Sequence, residues 1–123
     1  MDGTKIKSFT DLIAWQKAHR VAIMTYKITK EFPHSELYGL VSQMRRAAIS
    51  VTSNIAEGFS RQSAKEKIQF YHMALGSDTE LQNQLLLAND LNYIEAGVFT
   101  EAMNSLIEVN KLVNGLIKSL RKK

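Results

Sequence analysis

Apolar residues recur at three- and four-residue spacing through most of the chain, and the breaks in that rhythm divide it into four segments. In the first, Ala14, Ala18, Val21, Thr25, Ile28 and Phe32 share a stripe that Trp15 and Ala22 widen, until Pro33 stops it. Ser8 and Asp11 in SFTD resemble a capping box, with Thr10 as an alternative cap, so this helix should begin between Ser8 and Asp11. The second stripe is Leu37, Leu40, Met44, Ala47, Val51 and Ile55, capped by His34 or Ser35 and ending near Gly58 to Arg61. Ser63 and Glu66 in SAKE form a full capping box for the third, which runs through Phe70, Ala74, Ser77, Leu81, Leu85, Ala88 and Leu91. Asn92 and Tyr93 mark the last turn. From Glu95 onward Phe99, Ala102, Leu106, Val109, Val113, Leu116 and Leu120 alternate spacings of three and four, a heptad seam.

This pattern predicts helices over residues 9–32, 36–60, 64–91 and 96–121, joined by short turns that force antiparallel neighbours. The expected fold is all-α, an up-down-up-down antiparallel four-helix bundle forming a single domain over residues 1–123, with an arm at 1–8 and a basic tail at 121–123. Small residues at Ala74, Gly76 and Ser77 would let another helix approach closely. The run Leu85, Leu86, Leu87 cannot all face one core, so at least one leucine should meet another subunit or lie exposed.

The second helix also carries a polar stripe, Arg46, Ser50, Asn54, Glu57 and Arg61. A turn centred near Arg61 and Gln62 would set Arg46 beside Ser77 and close to Asp78 or Glu80, and Asn54 beside Gln69. That register predicts an ion pair from Arg45 or Arg46 to Asp78 or Glu80. Arg45, Arg46, Ser50, Asn54, Glu57, Ser77 and Glu80 therefore read as a structural polar seam that fixes register more than it stabilises. Replacing Glu80 with Ala should then destabilise the bundle or its assembly before it affects any ligand.

Composition narrows the chemistry. One proline and six glycines leave few breakers, and with no cysteine there is no disulfide, thiolate metal site or thiol nucleophile. The opening MDGTKIKS lacks the apolar core of a signal peptide, and no apolar run is long enough to span a bilayer, so a soluble cytoplasmic protein without membrane contact is expected. His19, His34 and His72 are isolated from one another and form no metal-ligand spacing, and no phosphate-binding glycine loop is present. No catalytic residue, cofactor or metal site is expected, and an enzyme is disfavoured.

Charge is uneven along the chain. From Ile68 to Asn110 there is no Lys or Arg, whereas Lys111 to Lys123 holds five bases and no acid. Folding into the expected bundle would bring Lys5, Lys7, Arg61, Lys65, Lys67, Lys118, Arg121, Lys122 and Lys123 to one end, nine bases against Asp2, Asp11, Glu57 and Glu66, a net of +5. The other end would hold Lys27 and Lys30 against Glu31, Glu36, Asp90, Glu95 and Glu101, a net of −3. Arg61, Lys65, Lys67, Lys118 and Arg121 are the candidate nucleic-acid-binding residues, with Lys17, Arg20 and Lys27 next in line.

The order of motifs is also familiar: FxDLxxWQKA at Phe9 to Ala18, FPxxExYGLxxQ at Phe32 to Gln43, RRAAxSVxxNIAEG at Arg45 to Gly58 and AxGSxxEL at Ala74 to Leu81. Together they resemble the four-helix-bundle family encoded in intervening sequences of bacterial 23S ribosomal RNA genes, distantly related to accessory proteins of diversity-generating retroelements. The resemblance implies a homopentamer of bundles around a central channel, and its distant branch implies binding to nucleic acid and to a reverse transcriptase. Two functions follow as expectations: an oligomer binding structured RNA or an RNA/DNA hybrid by backbone charge, or a scaffold recruiting a protein partner encoded nearby.

Overall fold

The structure, a computed structural model, describes residues 5–122. Ser8 does make the capping box, its hydroxyl accepting from the Thr10 amide while Asp11 Oδ2 accepts from Lys7 N at 2.9 Å and Ser8 N at 3.1 Å. Those two backbone donors hold the Asp11 carboxyl below its usual pKa. The box caps only a 3-10 turn, Phe9–Asp11, because Leu12 then turns extended (ψ 127°), and the first α-helix, α1, is Ile13–Thr29. Its early end leaves Phe32 buried in the turn rather than on the helix.

The second helix starts in an unforeseen way. Neither His34 nor Ser35 caps it; instead Glu36 Oε1 accepts from Leu40 N at 3.4 Å, below a wide π-type turn, Leu37–Val41, that contains the non-helical Gly39 (φ −118°, ψ −108°). Regular helix α2 covers Ser42–Ser60. Ser63 then accepts from the Glu66 amide at 3.1 Å and opens α3, Ala64–Asp90, although the reciprocal Glu66 bond is not made. Asn92 takes a positive φ of 65° and lets Tyr93 N reach Ala88 O at 2.9 Å, ending α3 before α4, Ala96–Arg121.

Each helix packs on its predecessor, and α1 closes onto α4, so the four form an antiparallel up-down-up-down bundle with no strand among the described residues. The core is continuous from Ala14, Ala18 and Val21 through Met44, Val51 and Ile55 to Leu106, Val109 and Ile117. Fully burying one such large side chain contributes about 1.5–3 kcal/mol, and this shared face outweighs the helix propensity of any one segment.

On α3 the inward stripe is Tyr71, Ala74, Asp78, Leu81, Leu85 and Ala88. Phe70 and Ser77 lie one position off it, half-buried, and Leu91 is exposed. Close approach of α2 and α3 depends on Gly58, where a Cβ would stand 2.6 Å from the buried Tyr71 ring; nothing lies within 4 Å of a Cβ at Gly76.

Candidate nucleic-acid interface and polar seam

Connectivity gathers the basic segments as the alternating bundle requires. Phe9 lines a groove with Ser53, Ala56, Glu57 and Ser60, and Arg121 lies 3.4 Å from His72, so the arm, the α2–α3 turn and the end of α4 share one end. At the opposite end the Phe32 and Tyr93 rings meet at 5.2 Å, and Tyr93 donates to Glu36 at 3.0 Å. The basic end carries Lys5, Lys7, Arg61, Lys65, Lys67, Lys118, Arg121 and Lys122 against Asp11, Glu57 and Glu66, still +5, since Asp2 and Lys123 lie outside the described residues. At the other end Arg45 and Arg46 border the turn beside Tyr26 and Leu37, so that end is less acidic than the segment count gave.

The five candidate cations are not equivalent. Arg61 bonds Glu57 Oε2 at 2.8 Å and lies 4.5 Å from the Phe70 ring centroid, bracing the turn. Lys67 donates to Phe59 O at 2.6 Å and, more weakly, to Gly58 O at 3.5 Å, which also accepts from Arg61 N at 3.3 Å, so the lysine helps close the carbonyl end of α2. Arg121 leans on His72. Lys65 and Lys118 are exposed and make no hydrogen bond or ion pair among the described residues. On the outer first helix Lys17 is tied to Glu108 at 3.4 Å, joining α1 to α4.

Of the predicted polar seam, only Ser50, Asn54 and Ser77 are joined to one another. Ser50 and Ser77 hydroxyls meet at 2.7 Å, and Asn54 Nδ2 donates back to Ser50 O and Oγ at 2.9 and 3.1 Å. Ser77 therefore faces Ser50, four residues beyond Arg46. The cause lies in the turn: Arg61 is extended (ψ 156°) and α3 starts only at Ala64, so the midpoint moves along the chain and the pairing slips by a helical turn. Asn54 is not paired with Gln69.

The expected ion pair is absent for the same reason. Arg45 turns the other way, donating to Thr29 Oγ1 at 3.0 Å and Tyr26 O at 3.5 Å with its guanidinium 4.5 Å from the Tyr26 ring centroid. Thr29 in turn donates to Thr25 O at 2.7 Å, so its oxygen is oriented to receive Arg45. Arg46 and Glu80 are exposed, and Glu80 accepts only a long 3.4 Å bond from Gln84.

Asp78 is the residue the periodicity misplaced. It is 0% exposed, at an inward position between Ala74 and Leu81, with Gln82 Nε2 on Oδ1 at 2.6 Å and no partner for Oδ2. Burial raises its pKa to about 6, against the opposing pull of the Gln82 bond. Gln84, also buried, leaves its Oε1 unpartnered. Spacing alone admits both residues: Ala74, Asp78, Leu81 and Leu85 keep the three- and four-residue rhythm, and so do Ala74, Ser77, Leu81 and Leu85. Tyr38 is the opposite surprise, 93% exposed within an otherwise apolar stretch.

The described residues contain no helix long and apolar enough to cross a membrane. A family model described as 23S rRNA-intervening sequence protein matches residues 10–115. Among solved structures, a protein of unknown function from the S23 ribosomal protein family of Bacteroides thetaiotaomicron VPI-5482 superposes with a TM-score of 0.80 at 24% identity, over 86% of this chain and 96% of that one. That likeness carries the fold. No protein of curated function matches the chain.

Proposed function

The chain belongs to the 23S rRNA-intervening sequence protein family, and from that premise we propose that it is a non-enzymatic, cytoplasmic, oligomeric bundle that binds structured RNA or an RNA/DNA hybrid through its basic end. The observation that carries this reading is the convergence of cations from three segments remote in sequence, the arm, the α2–α3 turn and the end of α4, on one end of the bundle. Backbone phosphates suit such a surface, since it holds charge without an exposed aromatic platform, and a polyanion bound this way is recognised by shape. In a ring of subunits pointing the same way, a pentamer by family resemblance, these ends add into one basic rim.

The test separates binding charge from structural charge. Lys65, Lys118 and Lys122 changed together to Ser should weaken binding to a hairpin RNA and flatten its salt dependence in filter binding, with helicity unchanged. Affinity that survives with the same salt slope would rule the rim out and move attention to Arg20 and Lys27. Changing Arg61 and Lys67 as well would confuse the result, because both brace the turn.

A second reading, a scaffold or accessory subunit that recruits a protein partner such as a reverse transcriptase without binding nucleic acid, is favoured by one observation. Leu37, Tyr38, Ile49, Leu86 and Leu87 all expose more than a third of their surface. Recovery of a neighbouring gene product by pull-down, with no RNA, would favour it.

A further inference from the structure

Cations also gather at the end opposite the basic rim. A groove of about 360 Å³ between α1 and α2 is bordered by Tyr26, Leu37, Tyr38, Arg45, Arg46 and Ile49. A second, of about 240 Å³ and lined in part by Lys30 and His34, continues it, with Leu37, Val41 and Arg45 common to both. Neither lining contains an acid. The carboxylates nearest in sequence are engaged elsewhere: Glu36 accepts from Tyr93 Oη at 3.0 Å and from Leu40 N at 3.4 Å, and Glu31 borders the separate groove that Tyr93 and Ile94 line. The surface is therefore locally basic, although the segments that meet at this end sum to an acidic total.

Three side chains give this surface a directed chemistry. Arg45 is half-buried and already held in place: its Nε donates to Thr29 Oγ1 at 3.0 Å and one Nη to Tyr26 O at 3.5 Å, which leaves the rest of its guanidinium donors uncommitted. Arg46, the next residue, is exposed and makes no hydrogen bond or ion pair among the described residues. Tyr38 is 93% exposed on the π-type turn Leu37–Val41, and such widened turns are frequent at functional sites. A guanidinium fork matches the geometry of phosphate oxygens, and an exposed phenol ring offers a face on which a base can stack.

We propose that this groove is a second anion site, separate from the basic rim, that holds a nucleotide, with phosphate oxygens on Arg45 and Arg46, Lys30 at the edge, and the base against the Tyr38 ring. Phosphate alone would leave the ring of Tyr38 without a partner, and an apolar ligand would leave Arg46 unpaired; a nucleotide supplies both an anion and a planar ring. At about 360 Å³ the larger groove lies within the roughly 300–1,000 Å³ range of small-molecule sites. Stacking tolerates every base, so the site selects for the phosphate and the ring and not for sequence. A free nucleotide and the 5′-phosphorylated end of an RNA strand present the same two groups. The site uses none of the rim lysines, so it stands even if the rim binds nothing.

Calorimetric titration of the full chain with ADP provides the test, beside inorganic phosphate and two short single-stranded RNAs that differ only in carrying a 5′-phosphate or a 5′-hydroxyl. ADP should bind the wild-type chain, and Arg46→Gln should weaken it about tenfold or more. Tyr38→Leu should weaken it about fivefold or more, and Tyr38→Phe should leave it unchanged because the ring stays. Both positions are exposed, and circular dichroism checks that the variants are folded. Phosphate binding should fall in Arg46→Gln and be indifferent to Tyr38→Leu. A preference for the 5′-phosphorylated RNA that Arg46→Gln abolishes would support the site and name the strand end as its ligand; equal binding of the two RNAs, with ADP bound as expected, would support it and name the free nucleotide. Absence of ADP binding at millimolar concentration would overturn the site. So would ADP binding that both groove variants keep and Lys65→Ser/Lys118→Ser/Lys122→Ser abolishes, which would assign the nucleotide to the rim. ADP binding weakened by Arg46→Gln and untouched by Tyr38→Leu would reduce the groove to a general anion patch and overturn the nucleotide assignment.

Discussion

Asp78 has the least comfortable environment in the molecule. Its carboxyl is fully buried, one oxygen is satisfied by Gln82 and the other by nothing among the described residues, so the charged form costs free energy in the fold that it does not cost in the unfolded chain. Its folded pKa of about 6 stands above the ordinary aspartate value of 3.8. The sign follows from linkage: between these two values the folded state binds the extra proton, so this group's contribution to stability is fully present below the lower value and is lost as pH rises through the upper. Asp78→Asn removes the titration. Relative to the parent, the variant should gain on the order of 2–3 kcal/mol between about pH 4 and pH 8, from roughly 1.4 kcal/mol per pKa unit. Urea unfolding of both proteins across that range checks it, and a difference that stays constant with pH would refute it.

Among the elements, the α2–α3 pair is organised by one glycine and one lysine. Gly58 lets the helices approach until Tyr71 fills the space a methyl group would need, and Tyr71 is itself buried, with little room to shift. Gly58→Ala should therefore lower stability by about 1–3 kcal/mol despite its better helix propensity, as overpacking outweighs the roughly 1 kcal/mol propensity gain. Thermal melting decides, and a rise in melting temperature would show that the ring moves freely. The same substitution at Gly76, which has open space around it, should be neutral or stabilising. Glu80 belongs to this scale as well: being exposed and weakly bonded, it should cost little when changed to Ala, contrary to what an ion-paired seam implied.

For the whole molecule, the basic end divides into cations that hold the fold and cations that face solvent. Changing Arg61 and Lys67 to Ser removes the brace on Phe70 and Glu57 and uncovers the Phe59 carbonyl, so the melting temperature should fall. Changing Lys65, Lys118 and Lys122 should leave it unchanged or raise it, because like charges are relieved at an end of net +5. Calorimetry on the two triple- and double-site variants separates the groups, and equal effects would mean that the turn is not braced as described. The charge of that end is thus a property of the assembled bundle.

Four apolar stripes, the Ser63 cap and the break around Pro33 were enough for the sequence to determine four helices and their alternating directions, because spacing and capping are local and short turns leave one topology. Direction in turn determined which segments share an end, so the basic end was readable before any packing was known. Register was not. It depended on an extended Arg61 and on Gly58 meeting Tyr71, contacts between residues that local periodicity cannot relate. A slip of one helical turn was enough to replace a predicted ion pair by a Ser50–Ser77 bond and to send Arg45 toward Thr29. Only the tertiary structure placed Asp78 inside and Tyr38 outside, since a polar residue at a core spacing and an apolar one at a surface spacing differ in burial, and burial is decided by the neighbouring helices.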